Sequence, residues 1–172
     1  MRLFHERGYE NVGIAELARE IGVQPPSLYA AFGNKLGMLK RAVELYQIET
    51  TFIPEALNKE GPVGARLRNV LRAAARSYAK RGCPRGCLVM DCTQNAGDPE
   101  AAALTERLVA LNRAAIAEAV AVEHPRAAET VADYVTTMLR GLSASARNGA
   151  TARQLESVAD LAADSVDARL AS

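Results

Sequence analysis

The run Gly22-Val23-Gln24-Pro25-Pro26 leaves the backbone little choice. Glycine tolerates a left-handed turn that a Cβ would oppose. Proline lacks an N–H and its ring clashes inside a helix, so it is accommodated only in the first turn, where the N–H groups have no partner anyway. One helix must therefore stop at Gly22 and another start at Pro25. Upstream, Ile14, Leu17, Ala18 and Ile21 fall at i, i+3, i+4 and i+7, one face of a helix. Downstream, nothing breaks the chain from Ser27 to Phe32, and Gly33 closes it. The predicted helices span 14–21 and 25–32. Two short helices across so tight a connection form a helix-turn-helix, whose second helix offers its first turn to base edges in the major groove.

The flanks supply support for this unit. Residues 1–7 read as a helix with Leu3 and Phe4 apolar, ended by Gly8. His5 is expected on its solvated face. Asn11 is the available cap for the helix that follows. Asn34 is a good N-cap for a fourth helix over 35–47, with Met38, Leu39, Ala42, Leu45 and Tyr46 on its apolar side. Leu28 and Phe32 are expected in the core. The charge balance is weak for a nucleic-acid binder: residues 1–46 hold six basic and five acidic side chains, and the whole chain carries +1.

The remainder also reads as helix. Tryptophan is absent, aromatics are few and alanine is abundant, which favours helix over sheet. Over 63–81, Leu67, Val70, Leu71, Ala74, Ala75 and Tyr78 share one face. Arg68, Arg72, Arg76 and Lys80 recur every fourth residue on another, as a solvated face or an anion-attracting wall. Cys83, Cys87 and Cys92 follow, an odd set that suits a reducing compartment. Three readings of them stand: small buried apolar residues, a metal site with His124, or a reactive thiol at Cys87. Their spacing fits no common zinc pattern, and no metal site is assigned. A helix starting near Cys87, with Arg81 and Arg85 nearby, would lower that thiol's pKa.

Asp98-Pro99 begins a helix to about 122, with Leu104, Leu108, Leu111, Ala115 and Ala119 expected inward. Two more helices are predicted over about 126–147 and 152–170, rich in alanine. In all, the periodicity predicts about nine. No window offers 18 uninterrupted apolar residues, so no membrane helix is expected. The start, MRLFHERGYE, lacks the features of a signal peptide, which makes the cytoplasm the expected location. No phosphate loop, H-E-x-x-H or G-x-S-x-G occurs, so neither an enzyme nor a cofactor is expected.

Many positions at fixed spacing then carry a resemblance: Leu3-Phe4, Gly8-Tyr9, Ile14, Leu17-Ala18, Gly22-Val23, Ser27-Leu28-Tyr29, Phe32, Asn34-Lys35 and Leu39. Residues 1–46 resemble the DNA-binding domain of the TetR/AcrR family of bacterial regulators. The likeness departs at Val12-Gly13-Ile14, where the family often has a hydroxyl residue, and Met1 falls part-way through the family's first helix, so the basic arm is expected either to precede it in a longer chain or to have been lost. The resemblance implies an all-α chain with a helix-turn-helix DNA-binding domain over 1–46 and a larger helical effector-binding and dimerisation domain over 47–172. It implies that Pro25, Pro26, Ser27 and Ala30 face bases, with Gln24 in the DNA-binding set at the helix start, while Tyr29 and Lys35 hold phosphates of a palindromic operator in double-stranded DNA. Tyr29 could instead be half-buried core.

The same resemblance implies a homodimer through the last two helices and release by an unknown small-molecule effector. An apolar pocket would draw on Leu71, Tyr78, Leu88, Met90, Leu104 and Leu108. Some members of the family carry a similar Gly-Cys-Leu stretch and respond to oxidants, which keeps a Cys87 sensor open. A separate alternative, a helical dimeric binding protein that has lost DNA binding, also stays open.

Overall fold

The computed structural model describes residues 1–171. Among them are ten helices and no strand: α1 (Arg2–Arg7), α2 (Ile14–Ile21), α3 (Pro25–Phe32), α4 (Lys35–Glu49), α5 (Phe52–Leu57), α6 (Val63–Tyr78), α7 (Leu88–Asp91), α8 (Pro99–Ala121), α9 (Ala128–Arg147) and α10 (Ala152–Leu170). The chain is all-α, as its composition and breakers predict. The helix beyond the expected nine is α5, which the Thr-, Pro- and Asn-containing stretch 50–62 does not advertise.

Two compact units form. The first comprises Met1–Thr50 and Cys87–Arg107; the second comprises Thr51–Gly86 and the described residues from Leu108 onward. Residues 87–107 thus pack with the N-terminal helices, although sequence reading assigned them to the larger domain.

In the first unit, glycines end the short helices as expected. Gly8 has φ 77° and donates its N–H to the Phe4 carbonyl at 3.0 Å. Gly22 is left-handed, with φ 79° and ψ 30°. Phe4, Tyr9, Val12, Leu17, Leu28, Leu36, Leu39, Val43 and Leu88 are buried together in this unit's core. Asn34 caps α4, accepting the Gly37 N–H at 2.8 Å. Gly37 itself is required by the turn between α3 and α4, since a Cβ there would stand 1.9 Å from the Phe32 carbonyl oxygen.

Several local expectations for this unit are corrected. His5 is buried rather than solvated, with its ring edge-on to Tyr46 at 5.4 Å. Asn11 does not cap α2. Its Nδ2 donates to the Arg7 carbonyl instead, and Gly13 occupies the cap position. Ile21, Phe32 and Leu45 are exposed. They sit at or beyond the edges of their helices' apolar arcs, where so small a unit has no second layer to cover them.

In the second unit, α6 is the central helix, against which α5, α9 and α10 pack. Its face of Leu67, Val70, Leu71, Ala74, Ala75 and Tyr78 is fully buried, as its periodicity predicts. The basic row on its other side is not an anion-attracting wall. Arg68 donates to Asp164 and Asp167, both at 2.7 Å; Arg72 donates to Asp160; Arg76 donates to Glu156 at 2.7 Å. Its three arginines are half of an ion-pair ladder between α6 and α10. Farther along, Glu123 accepts the Val63 N–H at 3.1 Å and pairs with Arg66 at 2.6 Å. Arg113 of α8 pairs with Glu129 and Asp133 of α9.

The inward face of α8 differs from the expected one. Ala101, Thr105, Val109, Ile116, Ala117 and Val120 are buried, whereas Leu111 is 59% exposed and Leu104 and Leu108 are half-buried. This helix is alanine-rich and apolar on more than one side, so periodicity alone does not select a face.

Two outcomes follow for stability. Leu71→Ala should cost about 2–5 kcal/mol, because it empties a fully buried site; urea denaturation measures this. The ladder should matter on the acid side. Hydrogen bonding to Arg72 holds Asp160 below its ordinary value of 3.8. A carboxylate depressed in the folded state contributes stability that is fully present above 3.8 and lost as pH falls through the lowered value. Tm should therefore fall below about pH 4, and Asp160→Asn should reduce that fall while leaving its own Tm lower near neutrality.

Candidate nucleic-acid interface

Folding leaves α3 almost uncovered. Of its eight residues only Leu28 is buried, at 3% exposure. Leu28 keys the helix to the first unit, and the other residues fan around it at 100° steps. Pro26 and Ala30, two positions before and after, point away from Leu28. Pro26, Ser27, Tyr29 and Ala30 are exposed, Pro25 is half-buried, and Gln24 is exposed at the N-cap. Of the sequence-predicted site residues, Gln24, Pro26, Ser27, Tyr29 and Ala30 are accessible around α3 and Pro25 is partly so. Tyr29 is 50% exposed, so its ring is open to solvent on one side.

Lys35 is placed differently from the rest. It begins α4, is half-buried, and lies 4.4 Å over the Tyr9 ring. Its ammonium donates to the Glu10 carbonyl at 3.3 Å. An ammonium has three donors, so this bond leaves others for a phosphate.

Tyr9 marks a set of contacts that sequence reasoning missed. Its N–H donates to the Cys92 carbonyl at 2.6 Å, and its hydroxyl donates to Asp98 Oδ2 at 2.7 Å. Asp98 Oδ1 meanwhile accepts the N–H groups of Glu100 and Ala101, capping α8 as predicted. The hydrogen bond from Tyr9 comes first among the causes that hold the Asp98 carboxyl below its ordinary value. Burial, with the Asp98 carboxylate beside it, raises the Tyr9 phenol. The Gly97 N–H donates to Glu10 Oε1. The connection that feeds α2 is thus clamped to the start of α8, within the first unit.

The cysteines do not have the chemistry expected of a sensor. Cys87 is buried, and burial pushes its thiol up rather than down. The neighbouring Asp91 carboxylate, which accepts the Cys87 N–H at 3.0 Å, adds to the rise. A hydrogen bond with the Tyr46 hydroxyl offsets only part of it. The helix it heads, α7, is a single turn of four residues and offers little dipole. Cys92 is buried and Cys83 exposed. Among the described residues, no three His, Cys, Asp or Glu side chains gather as metal ligands.

The six residues expected to line an effector pocket divide between the units. Leu71, Tyr78 and Leu108 belong to the second, and Leu88, Met90 and Leu104 to the first. Leu71 and Tyr78 share a face of α6 two turns apart, both fully buried. Two cavities of the second unit, of about 210 and 390 Å³, are lined by none of the six.

Thiol labelling checks this account. In native protein at pH 7, a chromogenic disulfide reagent should react rapidly with Cys83 alone. Cys87 and Cys92 should be labelled only in denaturant. Rapid reaction of Cys87 in the native state would contradict its burial.

Comparison with known proteins agrees with this geometry. Residues 1–42 match the family described as bacterial regulatory proteins, tetR family. The HTH-type transcriptional repressor BdcR of Escherichia coli (strain K12) is 37% identical over 166 residues, covering 95% of this chain and 83% of that protein. The HTH-type transcriptional repressor ComR of the same organism is 25% identical, covering 92% and 81%. Among solved structures, a cysteine mutant of the TetR family transcriptional regulator CifR, complexed with 26-bp double-strand operator DNA, superposes with TM-score 0.82 at 28% identity over 95% of this chain and 91% of that one. A TetR transcriptional regulator from Rhodococcus sp. RHA1 matches with TM-score 0.60 at 28% identity, covering 96% and 94%. With an exposed helix-turn-helix at the family's own position and a relative of this identity along nearly its whole length, the chain belongs to the TetR family of bacterial transcriptional regulators.

Proposed function

We propose that this protein is a transcriptional repressor. It binds a palindromic operator as a homodimer, works in the cytoplasm, catalyses no reaction, and leaves DNA when a small-molecule effector binds. The observation that carries the reading is α3, a helix at the second position of a helix-turn-helix of which only Leu28 is buried. Gln24, Pro25, Pro26, Ser27 and Ala30 face the bases. The Tyr29 hydroxyl and Lys35 ammonium hold phosphates, which fix register rather than sequence. The named repressor relatives and the operator complex of a structural neighbour support the same reading.

Dimerisation is proposed through α9 and α10. On α10, Val158 and Leu161 are 49% and 68% exposed, at i and i+3. The alanines of α10 are a different matter. Ala159, Ala162 and Ala163 are buried inside the protomer and cannot meet a second copy. Gly141 and Ser145 leave the outside of α9 low, where another helix can approach closely. A two-fold dimer presents two copies of α3 to two half-sites, and operator symmetry mirrors that of the protein. Effector release requires only that the ligand favour one spacing of those copies over another.

The test is sedimentation together with DNA binding. Wild-type protein should sediment as a dimer at micromolar concentration and enrich a palindromic sequence from a randomised duplex library, with affinity falling as salt rises. Leu161→Arg would bury an unpaired charge at the interface, costing about 3–5 kcal/mol and weakening association at least about a hundredfold. It should give a helical monomer with little operator affinity. A wild-type monomer at that concentration would overturn the dimer.

A further inference from the structure

The reading surface of α3 is unusual in carrying no charge. From Ile21 to Asn34 there is no Lys, Arg, Asp, Glu or His. The arc opposite Leu28 consists of Pro26 and Ala30, both exposed, with Tyr29 and Ser27 at its two edges. Side-chain donors number few. Asn34 is committed to the Gly37 N–H as the cap of α4. Gln24 stands at the helix start, and Ser27 and Tyr29 offer hydroxyls. Guanine is read in the major groove by a bidentate Arg or Lys, and adenine by a bidentate Asn or Gln. Neither group exists on α3 itself. A pyrrolidine ring and a methyl group can still distinguish one base, because only thymine presents a hydrocarbon group, its C5-methyl, on the groove floor.

We infer that α3 recognises thymine through its C5-methyl group, with Pro26 and Ala30 as the apolar partners, so that the base pairs beneath them are A·T. This rests on the DNA-binding reading above and adds to it the chemical basis of specificity. Ser27 and Gln24 flank the apolar strip and hydrogen-bond to neighbouring edges. Sequence choice by this helix is then a matter of shape and methyl burial, and phosphate contacts from outside α3 supply the electrostatic part of the affinity.

The inference is tested by removing methyls one at a time. The full chain is used to enrich binding sequences from a duplex library randomised over 20 base pairs. Each thymine of an enriched half-site is then replaced by deoxyuridine, which pairs identically and lacks only the methyl. One or two positions per half-site should raise Kd about fourfold, the factor equivalent to about 0.8 kcal/mol for one buried methylene-sized group. In Ala30→Gly the penalty at one of these positions should fall close to onefold while the others persist, and in Pro26→Gly another should fall. Any general weakening of the helix by glycine cancels in the ratio of uracil to thymine duplexes. If deoxyuridine changes Kd nowhere, or the penalties survive both substitutions, the inference is overturned. If no sequence is enriched at all, the DNA-binding reading fails and this inference falls with it.

Discussion

Asp98 uses both oxygens of its carboxylate, and the DNA-reading half of the chain is organised around that double use. One oxygen takes the free N–H groups at the start of α8; the other takes the Tyr9 hydroxyl. Hydrogen bonds to a carboxylate favour its ionised form, so the clamp is strongest where Asp98 is charged. Tyr9 in turn has its N–H on Cys92 and Lys35 over its ring. The result is a short connection, between α1 and α2, whose path is fixed at several points. Without it, α2 and α3 would be two small helices with little core of their own, since α3 buries one side chain and α2 two. A helix that must stay open for DNA cannot stabilise itself by burial. Its support has to come from the loop beside it.

Charge does a different task in the second unit. There Arg68, Arg72, Arg76 and Arg113 find carboxylates on other helices, and Arg66 finds Glu123 in the turn after α8. Exposed pairs of this kind add little each. Their value is in pairing neighbours correctly around a core of small and branched residues. The same stretch of sequence that suggested attraction for an outside anion is neutralised by acids about 90 residues away. A basic row on one helix is therefore poor evidence for an anionic ligand until the facing helix is known.

The parts legible in the sequence were those set by backbone chemistry. Gly8, Gly22, Pro25, Gly33, Asn34 and Asp98 delimit helices for reasons internal to each residue, and they stand where those reasons place them. The buried face of α6 was equally readable, because its apolar residues fill one arc and arginines the other. Less was legible where the answer lies in a neighbour. The face of α8 is ambiguous in an alanine-rich helix, and His5 is buried because Tyr46 arrives beside it from α4. Arg81 and Arg85, close to Cys87 in sequence, argue for a lowered thiol pKa. Its burial and the carboxylate of Asp91 decide the opposite. Gly37 gave no signal at all, since the carbonyl that excludes a side chain there belongs to the preceding turn.

The ladder between α6 and α10 has one more property. Its partners sit in antiparallel order, Arg68 with Asp164, Arg72 with Asp160, Arg76 with Glu156, each step moving four residues along both helices. Slide one helix by a single turn and opposite charges would still meet: Arg72 with Asp164 and Arg76 with Asp160. The ladder is a ruler with identical divisions, able to say which helices belong side by side but not where along each other they stop. That information has to be uncharged. It lies in the buried alanines of α10 and in Gly64, whose missing side chain leaves room for the Asp167 carboxylate, 2.3 Å from where a Cβ would be.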